Sequence, residues 1–413
     1  MKSTNPKLPE IIKNQHLSTR LLDWYSTVKR DLPWRKTGNP YAIWVSEVML
    51  QQTQVKTVIP YYERFLDRFP SVEHLGESNL DDVLAIWSGL GYYSRARRLW
   101  EGARYLIQNL GGIIPKDYEA LVKIPGIGDY TAGAVASIAF GQRVAAIDGN
   151  VKRVVSRLLA WPEPIETTRS LRYFRESLMT WQSDQNPGDF NQALMELGAM
   201  VCKPTRPHCE ACPLAQFCEG YLQGDVQHYP VKKPKSQRQE VTRLTFVLRK
   251  ENQIYLQKRP SKGLLADLWE LPGVELSQDD LQNFTNSLST ISIDTYLSLF
   301  RQAIPESEYE RQVEEDFKHG IEFHGPVWYT FSHRRWELIW LIIDLDKKYR
   351  VGCDLGETEP TRSSLLREIQ GTYQLEALKV RKSNMGKWVS SEDLRIIPLP
   401  VAFQSIIEKL VNF

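Results

Sequence analysis

The segment from residue 124 to residue 133 constrains the fold of this chain most, because proline and glycine interrupt two helical patterns there. It reads IPGIGDYTAG. A helix cannot continue through Pro125, Gly126 and Gly128, so the apolar segments on either side must pack as a hairpin. Glycine has no Cβ, so the amides of this turn can approach a phosphate closely, and the second helix directs its positive N-terminal end toward it. The alternative is a tight turn that only joins two packed helices.

A carboxylate follows this hairpin at a helix start. Asp148 comes directly after the apolar residues 144–147 and before a predicted helix over residues 151–159. As an N-cap it would accept backbone amide hydrogen bonds at the positive end of the helix dipole, which favours the anion. A phosphate-binding turn followed by such a carboxylate indicates chemistry on a nucleic-acid backbone or sugar. An ordinary N-cap is the alternative.

A second carboxylate, Glu47, lies in a predicted helix over residues 41–52. Its neighbours three and four positions away offer no basic partner: Ile43, Trp44, Leu50 and Gln51. Desolvation among apolar side chains raises the pKa of a carboxyl group, so Glu47 is a candidate general acid. The alternatives are pairing with an arginine from another helix, or exposure to solvent. Glu47 as acid and Asp148 as anion form the pair that cleavage of an N-glycosidic bond requires.

Four cysteines lie close together, with the spacing Cys202-x6-Cys209-x2-Cys212-x5-Cys218. Disulfides do not persist in a reducing compartment, so metal binding is the favoured interpretation. Zinc ribbons usually carry two C-x2-C pairs, whereas this segment has one. Four thiolates on one compact loop can also bind a 4Fe–4S cluster. The residues alone favour the cluster and leave zinc, or no metal, as alternatives.

The composition limits the class of protein. The 413 residues predict two or three domains, and 42% hydrophobic and 25% charged residues are typical of a globular protein. Residues 1–10 lack the apolar core of a secretory signal, and no apolar run has the roughly 20 residues that span a bilayer, so a cytoplasmic, nucleoid-associated location is expected.

A net charge of +2 does not by itself indicate nucleic-acid binding. Residues 92–98 mix tyrosine with arginine and suit phosphate contact and base stacking, or simply a solvated helix face.

The chain changes character near residue 226. Residues 15–225 carry mostly helical patterns, and residues 226–240 form a basic, proline-containing linker. Strand patterns follow over residues 241–248, 253–258, 321–331 and 336–343, with a last helix over residues 401–410. We therefore predict a mainly α domain over residues 1–225 and an α+β domain over residues 241–413.

The order of these parts resembles the helix-hairpin-helix DNA glycosylases of the endonuclease III superfamily. Residues 44–55 (WVSEVMLQQTQV), residues 87–96 (WSGLGYYSRA) and the hairpin with Tyr130 resemble MutY-type adenine DNA glycosylases, and the resemblance covers essentially the whole chain. Lyase members carry a lysine at the position of Tyr130, and a phenol cannot form their Schiff base. The resemblance thus implies a monofunctional enzyme. It also implies a 4Fe–4S cluster on the four cysteines of residues 202–218.

The resemblance assigns roles residue by residue. Glu47 would protonate the adenine, Asp148 would stabilise the sugar cation, Asn150 would orient Asp148 and the water, and Tyr130 would support the same transition state. The implied DNA contacts of this domain are Gln52, Thr53, Leu90, Tyr92, Gly126 and Gly128. Trp34 and Arg35 resemble residues that line the base pocket.

The second domain resembles the Nudix fold at residues 268–273 (LWELPG). A Nudix hydrolase needs a glutamate six positions after Gly273, where this chain has Asp279, and no Arg-Glu pair follows at the required spacing. A Nudix-like fold without hydrolase activity is therefore expected. Phe331, Ser332 and His333 resemble the family's loop that inspects 8-oxoguanine. The alternative is a β-hairpin turn with Phe331 packed inward.

The function expected from the resemblance is removal of adenine opposite 8-oxoguanine, or opposite guanine, from double-stranded DNA by a monomer with no membrane partner. One rival is an endonuclease III-like lyase that acts on oxidised pyrimidines. A second rival is a nucleotide pyrophosphohydrolase that uses the second domain. A third is a DNA-binding scaffold without chemistry, which the presence of both Glu47 and Asp148 disfavours.

Overall fold

The computed structural model describes residues 16–182, 184–234, 237–276, 293–304, 322–331, 334–345 and 385–411. The chain divides into two compact units, Met1–Lys235 and Ser236–Phe413. The boundary lies inside the segment 226–240, whose composition predicts a linker. Within the described ranges, no helix is both long and apolar enough to cross a membrane.

The first unit is helical. Its described helices are α1 (His16–Val28), α2 (Pro40–Leu50), α3 (Val55–Arg68), α4 (Val72–Glu77), α5 (Leu80–Ile86), α6 (Ser94–Leu110), α7 (Tyr118–Leu121), α8 (Asp129–Phe140), α9 (Gly149–Leu158), α10 (Thr168–Trp181), α11 (Pro187–Met200) and α12 (Glu219–Leu222). Short 3-10 turns lie at Pro33–Arg35, Cys209–Ala211 and Ala215–Phe217.

Local capping explains where many of these helices begin and end. Side-chain oxygens accept N-terminal amide hydrogen bonds at Asn39, Ser71, Asn79, Asp148 and Thr167. Left-handed glycines, Gly111 and Gly141, end α6 and α8. Helix α2 stops at Leu50 rather than at the predicted residue 52 because the backbone turns extended at Gln51 and left-handed at Gln52.

Helices α2 and α8 form the centre of the first unit. Residues 41–49 of α2 and residues 131–137 of α8 are all buried. A helix that is apolar on every side must be surrounded by other elements, as these two are. A second cluster joins α1, α9, α10 and α11 around Trp161 and Phe174. The two central helices carry Glu47 and Tyr130.

The second unit is built on a mixed sheet. Its described strands are β1 (Gln239–Lys250), β2 (Gln253–Lys258), β3 (Trp269–Glu270), β4 (Gly273–Glu275), β5 (Glu322–Thr330), β6 (Arg334–Asp344) and β7 (Gly386–Ser390). The order is β3-β2-β1-β6-β5, with β4 paired to β1 and β7 paired to β2. Strands β1 and β6 are parallel, with Thr245 opposite Trp340, and the other pairs are antiparallel.

A helix covers each face of this sheet. Val247 packs in the cluster that contains α14 (Val401–Val411), whereas Phe246 packs in the cluster that contains α13 (Ile293–Ala303). Strand β1 is therefore buried on both sides, as parallel strands usually are. The predicted α+β class is correct. Two segments to which the sequence assigns no function, residues 275–318 and 345–372, are described only at residues 275–276, 293–304 and 345.

Candidate active site

Three side chains from different helices meet in the first unit. The Tyr130 hydroxyl, on α8, donates a hydrogen bond to Oε2 of Glu47, on α2. Asp148, the N-cap of α9, lies close enough for its charge to raise the pKa of Glu47 and of Tyr130. The structure thus brings together the residues for which the sequence predicts catalysis.

Burial dominates the acidity of Glu47. The residue is 5% exposed, and desolvation raises its pKa to about 7. The charge of Asp148 adds to the rise, while the Tyr130 hydrogen bond and the charge of Arg35 oppose it. A large fraction of the Glu47 carboxyl groups therefore carry a proton at neutral pH, which is the state that a general acid needs.

A nearby buried glutamate behaves in the opposite way. Glu196 is 1% exposed and forms ion pairs with Arg30 (2.7 Å) and Arg35 (2.9 Å). Burial alone raises its pKa, but the hydrogen bonds from the two arginines outweigh that effect and lower it to about 2. Glu47 remains a candidate acid because its own close partner is a neutral hydroxyl. The sequence pattern did not identify Glu196, which lies 166 residues from Arg30.

Asp148 is the N-cap that the sequence predicts. Its Oδ1 accepts from the Val151 backbone N–H at 2.7 Å, and its Oδ2 accepts from Asn150 Nδ2 at 3.0 Å. These bonds lower the pKa of Asp148 and favour its anion, as the sequence predicts, but they are not the largest influence on it. Burial raises the pKa of Asp148 because the loss of hydration exceeds the effect of the cap.

Arg153 holds Asn150 in place. Its Nη2 donates to Asn150 Oδ1 (2.9 Å) and to the Gly198 carbonyl (2.8 Å), and its Nε donates to the Cys202 carbonyl (2.8 Å). No motif in the sequence marks Arg153. Its position three residues after Asn150, on the same face of α9, was the available signal.

Two loops carry the predicted DNA contacts of this unit. Gln52 is exposed and Tyr92 is 46% exposed, so both can reach a ligand. Thr53 is half-buried, and its hydroxyl accepts a hydrogen bond from Arg95. Leu90 is 6% exposed and packs in the core, unlike its neighbour Tyr92.

The position of Arg95 contradicts the interpretation that residues 92–98 as a whole contact phosphate. Arg95 is 7% exposed, and its guanidinium donates to oxygens of both loops rather than facing solvent. Arg98 is exposed, so the mixture of tyrosine and arginine divides between core and surface.

The two hairpin glycines serve different purposes. Gly126 has φ +83°, and a Cβ there would lie 2.7 Å from the Arg98 carbonyl oxygen, so only glycine fits. Gly128 has φ −92° and caps α8, with open space where a Cβ would point. Gly126 shapes the turn, and Gly128 leaves room for a ligand at the N-terminus of α8.

The four cysteines of residues 202–218 are free thiols. Burial raises the pKa of Cys212 to about 12 and of Cys218 to about 11, and neighbouring thiols add to both rises. Arg157 Nη1 donates to Cys202 Sγ at 3.3 Å. Across the ranges that the structure describes, no three or more histidine, cysteine or acidic side chains are placed to hold a metal ion. Four cysteine thiols on one loop are nevertheless the donor set that a 4Fe–4S cluster requires.

The loop that the resemblance assigns to 8-oxoguanine lies in sequence between β5 and β6. The Phe331 ring packs on Trp336 with centroids 4.9 Å apart, and its backbone N–H donates to the Arg334 carbonyl at 2.7 Å. Phe331 therefore packs inward, which was the alternative to a DNA contact. Ser332 and His333 lie outside the described residues.

Two family models match the chain. Residues 45–177 match the HhH-GPD superfamily base excision DNA repair protein model, and residues 244–409 match the NUDIX domain model. The first match covers the residues from α2 to α10, and the second covers most of the sheet. The fold class predicted from the sequence, a helical helix-hairpin-helix domain followed by a Nudix-like domain, is confirmed.

Relatives from distant organisms that are similar to this chain in sequence are all named adenine DNA glycosylase. The adenine DNA glycosylase of Rattus norvegicus is 36% identical over 382 residues, 78% of this chain and 73% of that protein. That of Homo sapiens is 40% identical over 311 residues, 62% of this chain, and the chain spans only 56% of its length. That of Buchnera aphidicola subsp. Baizongia pistaciae (strain Bp) is 38% identical over 276 residues, 65% of this chain and 77% of that protein.

A solved structure of a thermostable thymine-DNA glycosylase is 30% identical, with a TM-score of 0.48, over 51% of this chain and 97% of its own. The Rattus norvegicus relative matches over most of its length and spans both units of this chain. The chain belongs to the adenine DNA glycosylase family.

Proposed function

We propose that this protein is a monofunctional DNA glycosylase that hydrolyses the N-glycosidic bond of adenine in double-stranded DNA. The observation that carries this proposal is the buried Glu47, whose pKa is raised to about 7 beside Tyr130 and Asp148. The names of the relatives supply the base, adenine. We further propose that the adenine lies opposite 8-oxoguanine or guanine and that the protein acts as a monomer.

Glu47 acts as the general acid. The Tyr130 hydroxyl donates to Oε2, so the acidic proton belongs on Oε1, where it is available to N7 of an extruded adenine. Protonation turns the base into a neutral leaving group as the bond to C1′ breaks. A positioned acid of this kind contributes roughly 10²–10⁴-fold to a rate.

Asp148 stabilises the sugar that remains. Bond cleavage leaves positive charge on C1′ and the ring oxygen, and an anionic carboxylate lowers the energy of that state. Asn150 and the Val151 N–H hold both carboxylate oxygens in place. Water then adds to C1′ and loses a proton, so the products are adenine and an abasic site. Tyr130 has no amine, so no Schiff base forms and the strand is not cut.

We propose that Cys202, Cys209, Cys212 and Cys218 hold a 4Fe–4S cluster. When bound, the cluster would tie this loop together as a structural element, with four thiolates as ligands. Arg157 already fastens the loop by donating to the carbonyls of Lys203 (2.7 Å) and Pro204 (3.0 Å). Lys203 and His208 are exposed on the same loop and can approach phosphates.

We propose that the second unit recognises 8-oxoguanine through Ser332 and His333. Oxidation converts N7 of guanine from an acceptor into an N–H donor, so a hydroxyl that accepts from it discriminates against guanine. The resemblance of residues 330–334 (TFSHR) to the family's loop supports this assignment. Phe331, the residue before Ser332, packs on Trp336.

A panel of duplexes tests the activity. Adenine is placed opposite 8-oxoguanine, guanine, cytosine or thymine, and released base is measured under single-turnover conditions. We expect release opposite 8-oxoguanine and guanine, and none opposite thymine. No release from any duplex refutes the proposed function. Strong borohydride trapping on abasic DNA would instead favour the lyase rival, because a Schiff base is the species that borohydride captures.

A double variant tests the second unit. Replacing Ser332 and His333 together by alanine is expected to remove the preference for 8-oxoguanine over guanine while sparing adenine release opposite guanine. Unchanged discrimination contradicts the assignment of the loop.

A further inference from the structure

Arg95 is a buried cation that connects two loops. It lies in the first turn of α6 and is 7% exposed. Its Nη1 donates to the carbonyls of Val48 (3.0 Å), Met49 (2.7 Å) and Gln51 (2.5 Å). Its Nη2 donates to Thr53 Oγ1 (3.0 Å) and to the carbonyls of Leu90 (3.5 Å) and Gly91 (3.0 Å). One guanidinium thus joins the wedge loops, which we define as residues 51–54 and residues 88–92.

No acidic side chain among the described residues pairs with Arg95. The end of α2 takes the place of a carboxylate, because its last carbonyls form the negative end of the helix dipole. The ring centroids of Trp87 and Tyr92 lie 5.4 Å and 5.5 Å from the guanidinium carbon and add cation–π attraction. Although burial lowers its pKa to about 10, Arg95 keeps its charge at neutral pH.

Each wedge loop carries an exposed side chain in an unusual backbone conformation. Gln52 has φ +60° and Tyr92 has φ +49°, both in the left-handed region that non-glycine residues rarely adopt. Such residues persist only where their surroundings fix them, and they concentrate at functional sites. The acceptors of Arg95 flank both of them: Gln51, Thr53 and Gly91.

We propose that Arg95 is a positioning residue for base extrusion, which fixes the two wedge loops relative to each other so that Gln52 and Tyr92 enter the duplex together. This inference rests on the proposed function, because only an enzyme that acts on a single base in a duplex must extrude it. Extrusion costs a few kcal/mol of stacking and pairing, which side chains inserted as a unit offset. If the loops moved independently, each insertion would have to order its own loop as well.

The test compares Arg95→Met, Arg95→Lys and the control Arg104→Met. Arg104 is exposed on the same helix and stacks on Trp100, so its loss leaves the wedge loops untouched. Single-turnover release of adenine opposite guanine measures the reaction. In a Glu47→Gln background, in which cleavage should be slow, the fluorescence of 2-aminopurine placed next to the adenine measures extrusion before the base is released. Circular dichroism confirms that each variant is folded at the assay temperature.

We expect Arg95→Met to slow release by about 100-fold, the effect of a misplaced contact of roughly 1 Å. The 2-aminopurine signal should fall in parallel. Arg95→Lys should recover little, because a single ammonium group cannot reach both loops in the fixed geometry of a guanidinium. Arg104→Met should match the wild type in both measurements.

A double-mutant cycle with Tyr92→Ala separates positioning from general damage. If Arg95 acts through Tyr92, adding Arg95→Met to Tyr92→Ala should cost well under the full single effect. The same loss in both backgrounds, or slowed release with undiminished extrusion, overturns the proposal. If the wild type releases no adenine from any duplex, the proposed function is refuted. The 2-aminopurine signal still shows whether Arg95 is needed for extrusion.

A milder variant covers the case in which Arg95→Met does not fold. Thr53→Val keeps the size of the side chain and removes one acceptor of Arg95 Nη2. We expect slower release by about 3- to 10-fold, the net effect of one ordinary hydrogen bond, because Arg95 Nη2 keeps its two carbonyl acceptors. The extrusion signal should fall to match. Full extrusion and full activity in a folded Thr53→Val protein would count against the proposal.

Discussion

Replacing Glu47 by glutamine changes one ionisable group and little else. Glutamine has nearly the same shape, and its carbonyl oxygen can still accept the hydrogen bond from Tyr130. It has no acidic proton to give to the base, so adenine release should fall by roughly 10²- to 10⁴-fold. Binding to duplex DNA should change little, because Glu47 is 5% exposed.

The raised pKa of Glu47 also predicts how the free energy of unfolding depends on pH. A rise in the pKa of Glu47 from 4.5 to about 7 corresponds to about 3 kcal/mol, at roughly 1.4 kcal/mol for each pKa unit. The unfolded chain loses this proton near pH 4.5 and the folded protein near pH 7, so the folded state binds more protons in between. The free energy of unfolding of the wild type should therefore fall by about 3 kcal/mol from this group as the pH rises through that window.

Urea unfolding at several pH values from 5 to 8 measures the effect. The free energy of unfolding of Glu47→Gln minus that of the wild type should increase by about 3 kcal/mol in all as the pH rises. Groups that do not interact with Glu47 titrate alike in both proteins and cancel in this difference. Glu101→Gln, which changes an exposed glutamate, should show no such trend. Parallel curves for Glu47→Gln and wild type, or retained turnover, would refute the argument that burial keeps Glu47 protonated.

Three further substitutions test other parts of the structure. Gly126→Ala should lower the free energy of unfolding, measured in urea, by about 1–2 kcal/mol, because a left-handed alanine is strained and its Cβ meets the Arg98 carbonyl. Gly128→Ala should lower it less, because Gly128 has φ −92° and open space where a Cβ would point. Equal losses in the two variants would contradict this distinction. Glu270→Gln leaves Arg243 and Arg259 buried without their shared carboxylate and should destabilise the full chain by about 3–5 kcal/mol. A fall of less than about 1 kcal/mol in the free energy of unfolding in urea would contradict a buried ion pair. Cys212→Ser should lower the iron and sulfide content of the purified protein, and unchanged iron would exclude Cys212 as a ligand.

Local signals in the sequence were enough to locate much of the candidate site. The apolar surroundings of Glu47 come from its own helix, and the N-cap at Asp148 and the break at Gly126 depend only on neighbouring residues. The structure gives each of these residues the local conformation that the pattern predicts. Whether they catalyse the reaction remains a prediction.

Contacts between distant residues were not predictable in this way. The oxygens that hold Arg95 lie up to 47 residues away, and the carboxylate that binds Arg30 lies 166 residues away. The burial that raises the pKa of Asp148 depends on packing between distant segments, whereas the cap that lowers it depends on neighbouring residues. The parallel pairing of β1 with β6 likewise joins residues that no local pattern relates.

That pairing has a consequence for synthesis of the protein. Strand β1 pairs with β6 along its length, and partners such as Thr242 and Glu337 lie 95 residues apart. Because chains fold as they emerge from the ribosome, at roughly 5–20 residues per second, β1 must wait several seconds for its partner. Eight consecutive residues of β1 that end up buried face water during that time. Nascent chains stalled between residues 250 and 334 should therefore be the ones that chaperones bind most strongly.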